Sequence, residues 1–284
     1  MDAAVFEEHR PLLFSLAYRM LGDAGEAEDV VQDVYLRAAG AGDVRDPKAF
    51  LVTAVTRKAI DRLRSARRRR ETYVGPWLPE PLVGTVADAA EGVERAESLS
   101  LAFLVVLESL TPAERAAFLL HDVFGFSYPE VAEALARTEA ATRQLAHRAR
   151  RALESRRRRA QVSPDEHRAL LERFVAACAG HDVDGLAALL AREAVVYTDG
   201  GGEVQAALRP IEGRERTARF LVGVTKKAPA GTSAELVPVN GRTGVLVRAG
   251  DLTLAVIDVA VADGLVEEVF VVAAPSKLRA AAPA

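Results

Sequence analysis

Along the first part of the chain, apolar residues return every three or four positions, the period of an α-helix with one buried face. Leu12, Leu13, Leu16, Ala17 and Met20 form one such stripe, Gly22 to Gly25 break it, and Val30, Val31, Val34 and Tyr35 begin a second. A loop is predicted from Gly40 to Pro47. A longer helix follows, with Phe50, Val52, Val55, Ala59, Ile60 and Leu63 facing inward, and it ends in the basic run Arg62 to Arg70. Over residues 74–92 the periodicity stops, because Pro76, Pro79 and Pro81 disfavour helix and Gly75 and Gly84 flank them, so a linker is predicted there. It carries the chain's one tryptophan, Trp77, a side chain that implies a docking surface. Helical spacing resumes over 93–160. From about 163 the pattern becomes two helices (165–180 and 182–192), a strand pair across Asp199-Gly200-Gly201-Gly202, and a helix from about Glu212 to Lys227. Alternation of period two then marks strands at Val245 and Val247, at Leu252, Leu254 and Val256, and over Val266 to Val272. Asn240-Gly241, Gly250-Asp251 and Asp263-Gly264 supply hairpin turns. Two all-α modules followed by an α+β domain are therefore predicted.

Several helix starts are legible. Thr111-Pro112-Ala113-Glu114, Ser127-Tyr128-Pro129-Glu130 and Ser163-Pro164-Asp165-Glu166 each set a hydroxyl three residues before a glutamate, the spacing of a capping box. A helix over Ala113–His121, a loop with Gly125, a short helix over Tyr128–Ala136 and a turn at Arg137-Thr138 lead into a longer helix from Glu139 to about Arg158. That is the spacing of a helix-turn-helix, whose second helix enters the major groove by its N-terminal part. Thr138 can cap it, and Glu139, Arg143, Gln144, His147 and Arg148 are its exposed residues there. Arginine and glutamine pair bidentately with guanine and adenine edges, whereas Arg150, Arg151 and Arg156 to Arg159 suit phosphates.

Charge sharpens the picture only when read locally. The whole chain of 284 residues has a net charge of −3, yet residues 111–160 hold ten Lys/Arg against six Asp/Glu. The length suits two or three small domains. A single cysteine, Cys178, excludes a disulfide framework and reads as a small core residue. No signal peptide is recognisable at the N-terminus, and no apolar run approaches the roughly 20 residues that span a bilayer. A cytoplasmic protein with no membrane partner, no metal and no cofactor is expected.

The N-terminal helices carry patches of opposite sign. Glu26, Glu28, Asp29 and Asp33 line an acidic helix, which suits a protein partner with a basic surface or simply a solvated face. Arg57, Lys58, Arg62, Arg64 and Arg67 to Arg70 project from the next helix, which suits a phosphate backbone or simply a charge run fraying into the linker.

Here the sequence resembles a known family. His9 to Leu36, with Glu28-Asp29-Val30-Val31-Gln32-Asp33-Val34-Tyr35-Leu36-Arg37, is similar to region 2 of extracytoplasmic-function sigma factors, as is Phe50 to Arg64 with Ala59-Ile60-Asp61-Arg62-Leu63-Arg64. Residues 110–153, ending in His147-Arg148-Ala149-Arg150-Arg151-Ala152-Leu153, resemble region 4. The linker Trp77-Leu78-Pro79-Glu80-Pro81, the loop Asp199-Gly200-Gly201-Gly202-Glu203 and the segment Pro275-Ser276-Lys277-Leu278 resemble the subgroup with a SnoaL-like, cystatin-like cone at the C-terminus.

The resemblance implies a region 2 over 1–73, a linker over 74–92, a region 4 over 93–160 and a regulatory domain over 163–284. It implies that Glu28, Asp29, Gln32 and Asp33 bind the clamp helices of core RNA polymerase, with region 4 at the flap. Arg45, Lys48, Arg57, Lys58, Asp61, Arg62 and Arg64 would melt and read the −10 promoter element, and Thr138, Glu139, Thr142, Arg143, Gln144, His147, Arg148 and Arg151 the −35 element. Regulatory contacts would come from Trp77 to Pro81, Asp199 to Glu203, Pro275, Lys277 and Leu278.

The chain departs from the family pattern at four places. Arg57 replaces a common asparagine, Thr142 a usual apolar residue, Glu203 a lysine and Ser276 an aspartate. In the C-terminal domain Asp199, Asp258, Tyr197 and His181 are the polar candidates for an enzyme, with Asp258 the best placed for a pocket. An unidentified small ligand therefore stays among the expected partners, beside promoter DNA and core polymerase. The alternatives are a helix-turn-helix regulator acting without polymerase, and a DNA-binding module fused to a small-molecule enzyme or sensor.

Overall fold

The computed structural model describes residues 1–40, 44–70, 72–84, 99–157 and 162–279; the side chains of 67–70 and 154–157 are not among the described ones. The linker stretch 85–92 and the side chains of Arg67 to Arg70 and Arg156 to Arg159 lie outside the described residues. The chain forms two compact units, one of residues 1–72 with 106–157, the other of 73–105 with 158–284. The described part of the predicted linker, residues 74–84, thus clusters with the C-terminal domain.

In the first unit, α1 (Ala3–Leu21), α2 (Ala24–Ala39) and α3 (Pro47–Arg70) pack on one another. Their inward stripes are fully buried at Leu13, Leu16, Ala17, Met20, Val30, Leu51, Val55 and Leu63. Asp2 and Asp23 cap α1 and α2 through their carboxylates. After α4 (Leu101–Leu107) come α5 (Pro112–Phe118), a π-helical turn (Leu119–Val123), α6 (Tyr128–Leu135) and α7 (Glu139–Arg157). The capping boxes of Thr111 with Glu114 and Ser127 with Glu130 are formed. Helix α6 stops at Ala136, which takes the left-handed conformation (φ 51°) and turns the chain into α7. The helix predicted over Ala113–His121 differs in its last turn, which widens into the π turn.

The second unit is a six-stranded sheet with helices on one face. Helices α8 (Pro164–Ala179), α9 (Val183–Leu189) and α10 (Arg214–Thr225) accompany β1 (Leu190–Asp199), β2 (Ile211–Glu212), β3 (Thr232–Val239), β4 (Arg242–Ala249), β5 (Leu252–Ala262) and β6 (Leu265–Val272). The strand order is β2-β1-β6-β5-β4-β3, with β1 parallel to β6 and every other pair antiparallel. Two expectations change. The predicted second helix ends at Leu189, and Asp199 to Gly202 is not a tight hairpin, because β1 pairs with β2 only after a loop over 200–210.

Alternation along the strands sorts side chains to two faces. Val196, Val245, Val259, Val261 and Val269 meet Leu170, Leu171, Phe174, Leu186, Leu221 and Val222 of the helices. On the opposite face Leu246, Val256, Ala260, Phe270 and Val272 meet Leu78, Leu101 and Leu278. An apolar sheet face must be covered, and here the cover is the segment that links the two helical modules in sequence. Among the described residues no helix is long and apolar enough to cross a membrane.

Candidate functional site

The exposed end of α7 is built by its own supports. Thr142, Leu145, Ala146, Ala149 and Leu153 are buried at helical spacing and seat the helix, which leaves Arg143, Gln144, His147, Arg148 and Arg151 outward. Thr142 is therefore not placed to touch DNA: it has no exposed surface, and its hydroxyl donates to the Thr138 carbonyl at 3.0 Å. Thr138 itself accepts the Ala141 amide and serves as the cap. The arginines are held in place. Arg143 bonds Glu139 at 2.8 Å and lies 4.3 Å from the Tyr128 ring centre; Arg148 bonds Glu114 at 2.7 Å. Arg150 donates to Asp122 at 2.6 Å and to the Tyr128 hydroxyl, which raises its pKa further above the ordinary arginine value.

The basic face of α3 has different company. Lys58 reaches Asp33 at 2.7 Å and Arg62 reaches it at 3.8 Å, and the hydrogen bond from Lys58 holds the Asp33 carboxyl below its ordinary value. Asp33, expected on the polymerase face, thus belongs electrostatically to the basic patch, whereas Asp29 and Gln32 are exposed and Glu28 pairs with Arg10 at 2.6 Å. Arg64 bonds Asp61 at 3.2 Å, and Arg45 is exposed. Arg37, Arg57, Lys58, Asp61, Arg62 and Ser65 line an open cleft of about 460 Å³ on this patch. Arg57 donates from Nε to the Ala134 carbonyl at 3.0 Å and from Nη2 to the Glu133 carbonyl at 2.9 Å, at the C-terminal end of α6. A cation there complements the partial negative charge of the last carbonyls. Lys48 lies 5.3 Å from the Phe126 ring centre.

In the second unit, buried polar side chains of the sheet hold backbone groups of the linking segment. Asp199 Oδ2 accepts the Leu78 amide at 2.8 Å, Asn240 Oδ1 the Leu82 amide at 2.8 Å, and Asp258 Oδ2 the Leu101 amide at 3.1 Å. Asn240 also donates to the Leu99 carbonyl, and a bridge from Val83 to Val239 lays the segment on the edge of β3. Pro79 and Pro81 are buried. Asp258 is therefore not a pocket acid. It sits on the sheet face that the segment covers, as do Asp199 and Tyr197, which stacks on Phe270 at 5.5 Å. His181 is an exposed turn residue with φ 55°.

The loop of three glycines serves close approach. A Cβ on Gly201 would come within 3.0 Å of Ala274 and 3.5 Å of the Tyr73 hydroxyl, and φ is positive there (65°). Glu203 accepts from the Ser276 hydroxyl, so two of the four departures from the family pattern form one contacting pair. Ser276→Asp is expected to set two carboxylates against each other and loosen residues 275–278. Glu203→Lys in the same chain should restore the contact as an ion pair. A double-mutant cycle on unfolding free energy reads this as a coupling of about 1 kcal/mol or more.

Two buried titratable groups meet the backbone of one residue, Val259. Asp258 accepts the Val259 amide, and His167 Nε2 lies 3.4 Å from the Val259 carbonyl. Burial raises Asp258 to about 6, against the nearby Arg242, and burial lowers His167 to about 4. The stabilisation linked to Asp258 is full below its ordinary value of 3.8 and is lost as pH rises through about 6. That linked to His167 is full above 6.5 and is lost as pH falls through about 4. The two contributions have opposite signs across this window and offset each other. Asp258→Asn should uncover a loss of stability on acidification, and His167→Gln a gain; urea unfolding at stepped pH measures both.

Residues 5–69 match the family Sigma-70 region 2, and residues 100–153 match Sigma-70, region 4. The chain is 41% identical over 251 residues to the ECF RNA polymerase sigma factor SigJ of Mycobacterium tuberculosis, covering 86% of this chain and 80% of that protein. It is 32% identical over 290 residues to the probable ECF RNA polymerase sigma factor SigI of the same organism, covering 97% and 94%. The crystal structure of M. tuberculosis SigJ superposes with a TM-score of 0.79 at 34% identity, over 98% of this chain and 99% of that one.

Proposed function

This chain belongs to the extracytoplasmic-function RNA polymerase sigma factors, and from that premise we propose that its SnoaL-like C-terminal domain sets activity by holding the segment between the two promoter-binding modules. As a sigma factor the chain binds core RNA polymerase and directs it to promoter DNA. The two modules must meet elements at fixed spacing, so a segment seated on a sheet is a different tether from a free one. The observation that carries this reading is the capture of the Leu78, Leu82 and Leu101 amides by Asp199, Asn240 and Asp258.

Within the promoter-binding unit, Arg143, Gln144, His147, Arg148 and Arg151 are the contacts for the −35 element. The cleft of Arg37, Lys58, Asp61 and Arg62, with Arg45, Lys48 and Arg64 near it in sequence, serves the −10 element. Phosphates compete there for Arg57, now spent on α6. Exposed Asp29 and Gln32 face the clamp helices of the polymerase, and region 4 the flap. The C-terminal domain works by holding chain rather than by catalysis, since Asp199 and Asp258 are committed to backbone amides.

Run-off transcription with core polymerase tests this. The full chain, a chain ending near Arg159 and one ending before Pro275 should give different transcript yields from one promoter while all three bind core. Equal yields would remove the regulatory reading.

A further inference from the structure

One side chain of the C-terminal tail is held as a ligand would be. Lys277 Nζ lies 2.7 Å from Asp199 Oδ2 and 2.5 Å from the Leu78 carbonyl. It stands 4.4 Å from the centre of the Trp77 ring and 5.1 Å from that of Tyr73. The ion pair is withdrawn from water, with the lysine side chain 10% exposed and the aspartate 0%. An ammonium between two aromatic faces, an anion and a carbonyl is the arrangement by which proteins recognise cationic amines.

The other hydrogen bonds of the Asp199 carboxylate do not involve the lysine. Asp199 Oδ1 accepts the Tyr73 hydroxyl at 2.7 Å and the Gly201 amide at 2.9 Å, while Oδ2 also accepts the Leu78 amide at 2.8 Å. A carboxylate offers about four acceptor positions, and here three are filled by groups other than Lys277. The tail has further anchors that do not use the ammonium: Leu278 is buried, and the Ala273 and Ala274 amides donate to the Asp199 carbonyl. The two functions, packing the tail and binding a cation, are therefore separable.

We propose that Tyr73, Trp77, Asp199 and the Leu78 carbonyl form an ammonium-binding site of which Lys277 is the tethered occupant, and that primary alkylammonium compounds are its ligand class. Occupation of the site fastens residues 73–78 to the sheet. This deepens the reading of the C-terminal domain as the holder of that segment, and it makes Lys277 the positioning residue.

The test uses the full chain and two readouts of docking that do not depend on transcription: fluorescence of Trp77, the chain's one tryptophan, and hydrogen exchange at the Leu78 amide. Lys277→Met keeps an apolar stem of the same length up to Cε and removes the terminal ammonium. It should shift the Trp77 emission and lower Leu78 protection by about tenfold or more. Lys277→Ala leaves room for a ligand, and n-propylammonium chloride should restore both signals whereas 1-propanol should not. Native signals in Lys277→Met, or equal effects of the amine and the alcohol, would overturn the proposal. Lost docking with unchanged promoter output would instead leave the ammonium site standing and sink the regulatory reading.

Discussion

Asp199→Ala is expected to destabilise the C-terminal unit by about 3–5 kcal/mol, the usual cost of breaking a buried ion pair by removing one partner. The side chain has no exposed surface and accepts four donors: the Tyr73 hydroxyl, the Gly201 and Leu78 amides and the Lys277 ammonium. Alanine would leave the buried Leu78 amide and the part-buried Gly201 amide without this acceptor and take away the anion that pairs with the Lys277 ammonium. Asp199→Asn should cost less, because its carbonyl oxygen still accepts. Asp199→Ala with Lys277→Met should also cost less than the sum of the two single changes, since no uncompensated charge remains. Urea unfolding followed by Trp77 emission measures all of these. A loss below about 1 kcal/mol in Asp199→Ala would mean that the segment is not held through this carboxylate.

Arg115→Met is the second large effect and strikes the helical unit of residues 1–72 and 106–157. Arg115 is 1% exposed, and its guanidinium donates to the Met20 carbonyl at 2.7 Å, the Leu107 carbonyl at 2.7 Å and the Glu108 carboxylate at 2.8 Å. Met20 and Leu107 stand at the C-terminal ends of α1 and α4, so one planar cation satisfies carbonyls of two helix ends. Methionine fills much of the volume but supplies no donor, and a loss of about 3–5 kcal/mol is expected. Arg115→Lys should recover only part of it, because a point charge cannot replace the fork. The unfolding midpoint of the full chain reads the effect, and a variant as stable as the parent would show that these carbonyls find other donors.

The helical half was the more legible part of the sequence, for reasons visible at particular residues. Capping boxes are local signals, and those at Thr111, Ser127 and Ser163 form as their spacing implies. The burial of Thr142 was also within reach: it stands three, four, seven and eleven residues before Leu145, Ala146, Ala149 and Leu153, on the inward stripe. A resemblance that makes the whole helix a reader of DNA hides that periodicity. The sheet was less legible. Pairing of β1 with β6 is parallel and joins residues more than sixty apart, with no turn between them to mark it. Strand β3 (Thr232–Val239) lies at the sheet edge and carries Pro238, which masks its pattern.

The functional contacts follow the same division. Acidic and basic helices are read directly from sequence, but the partner of each charge is not. Arg57 reads as a DNA contact, yet its hydrogen bonds go to carbonyls 76 and 77 residues away. Asp258 sits among valines and isoleucine as a pocket acid would, yet its partner is the Leu101 amide, 157 residues earlier. Asn240 reads as a hairpin turn residue and does take φ 51° there, while its side chain also captures the linking segment. Glu203 and Ser276 each depart from the family pattern alone, and only the fold brings them together.

Purified full-length chain added to sigma-free core RNA polymerase provides the most direct measurement. The two should co-elute as one species and yield a transcript with a single start site from a cognate promoter, which neither gives alone. Failure to co-elute, together with a promoter footprint from the chain without polymerase, would contradict the sigma-factor function.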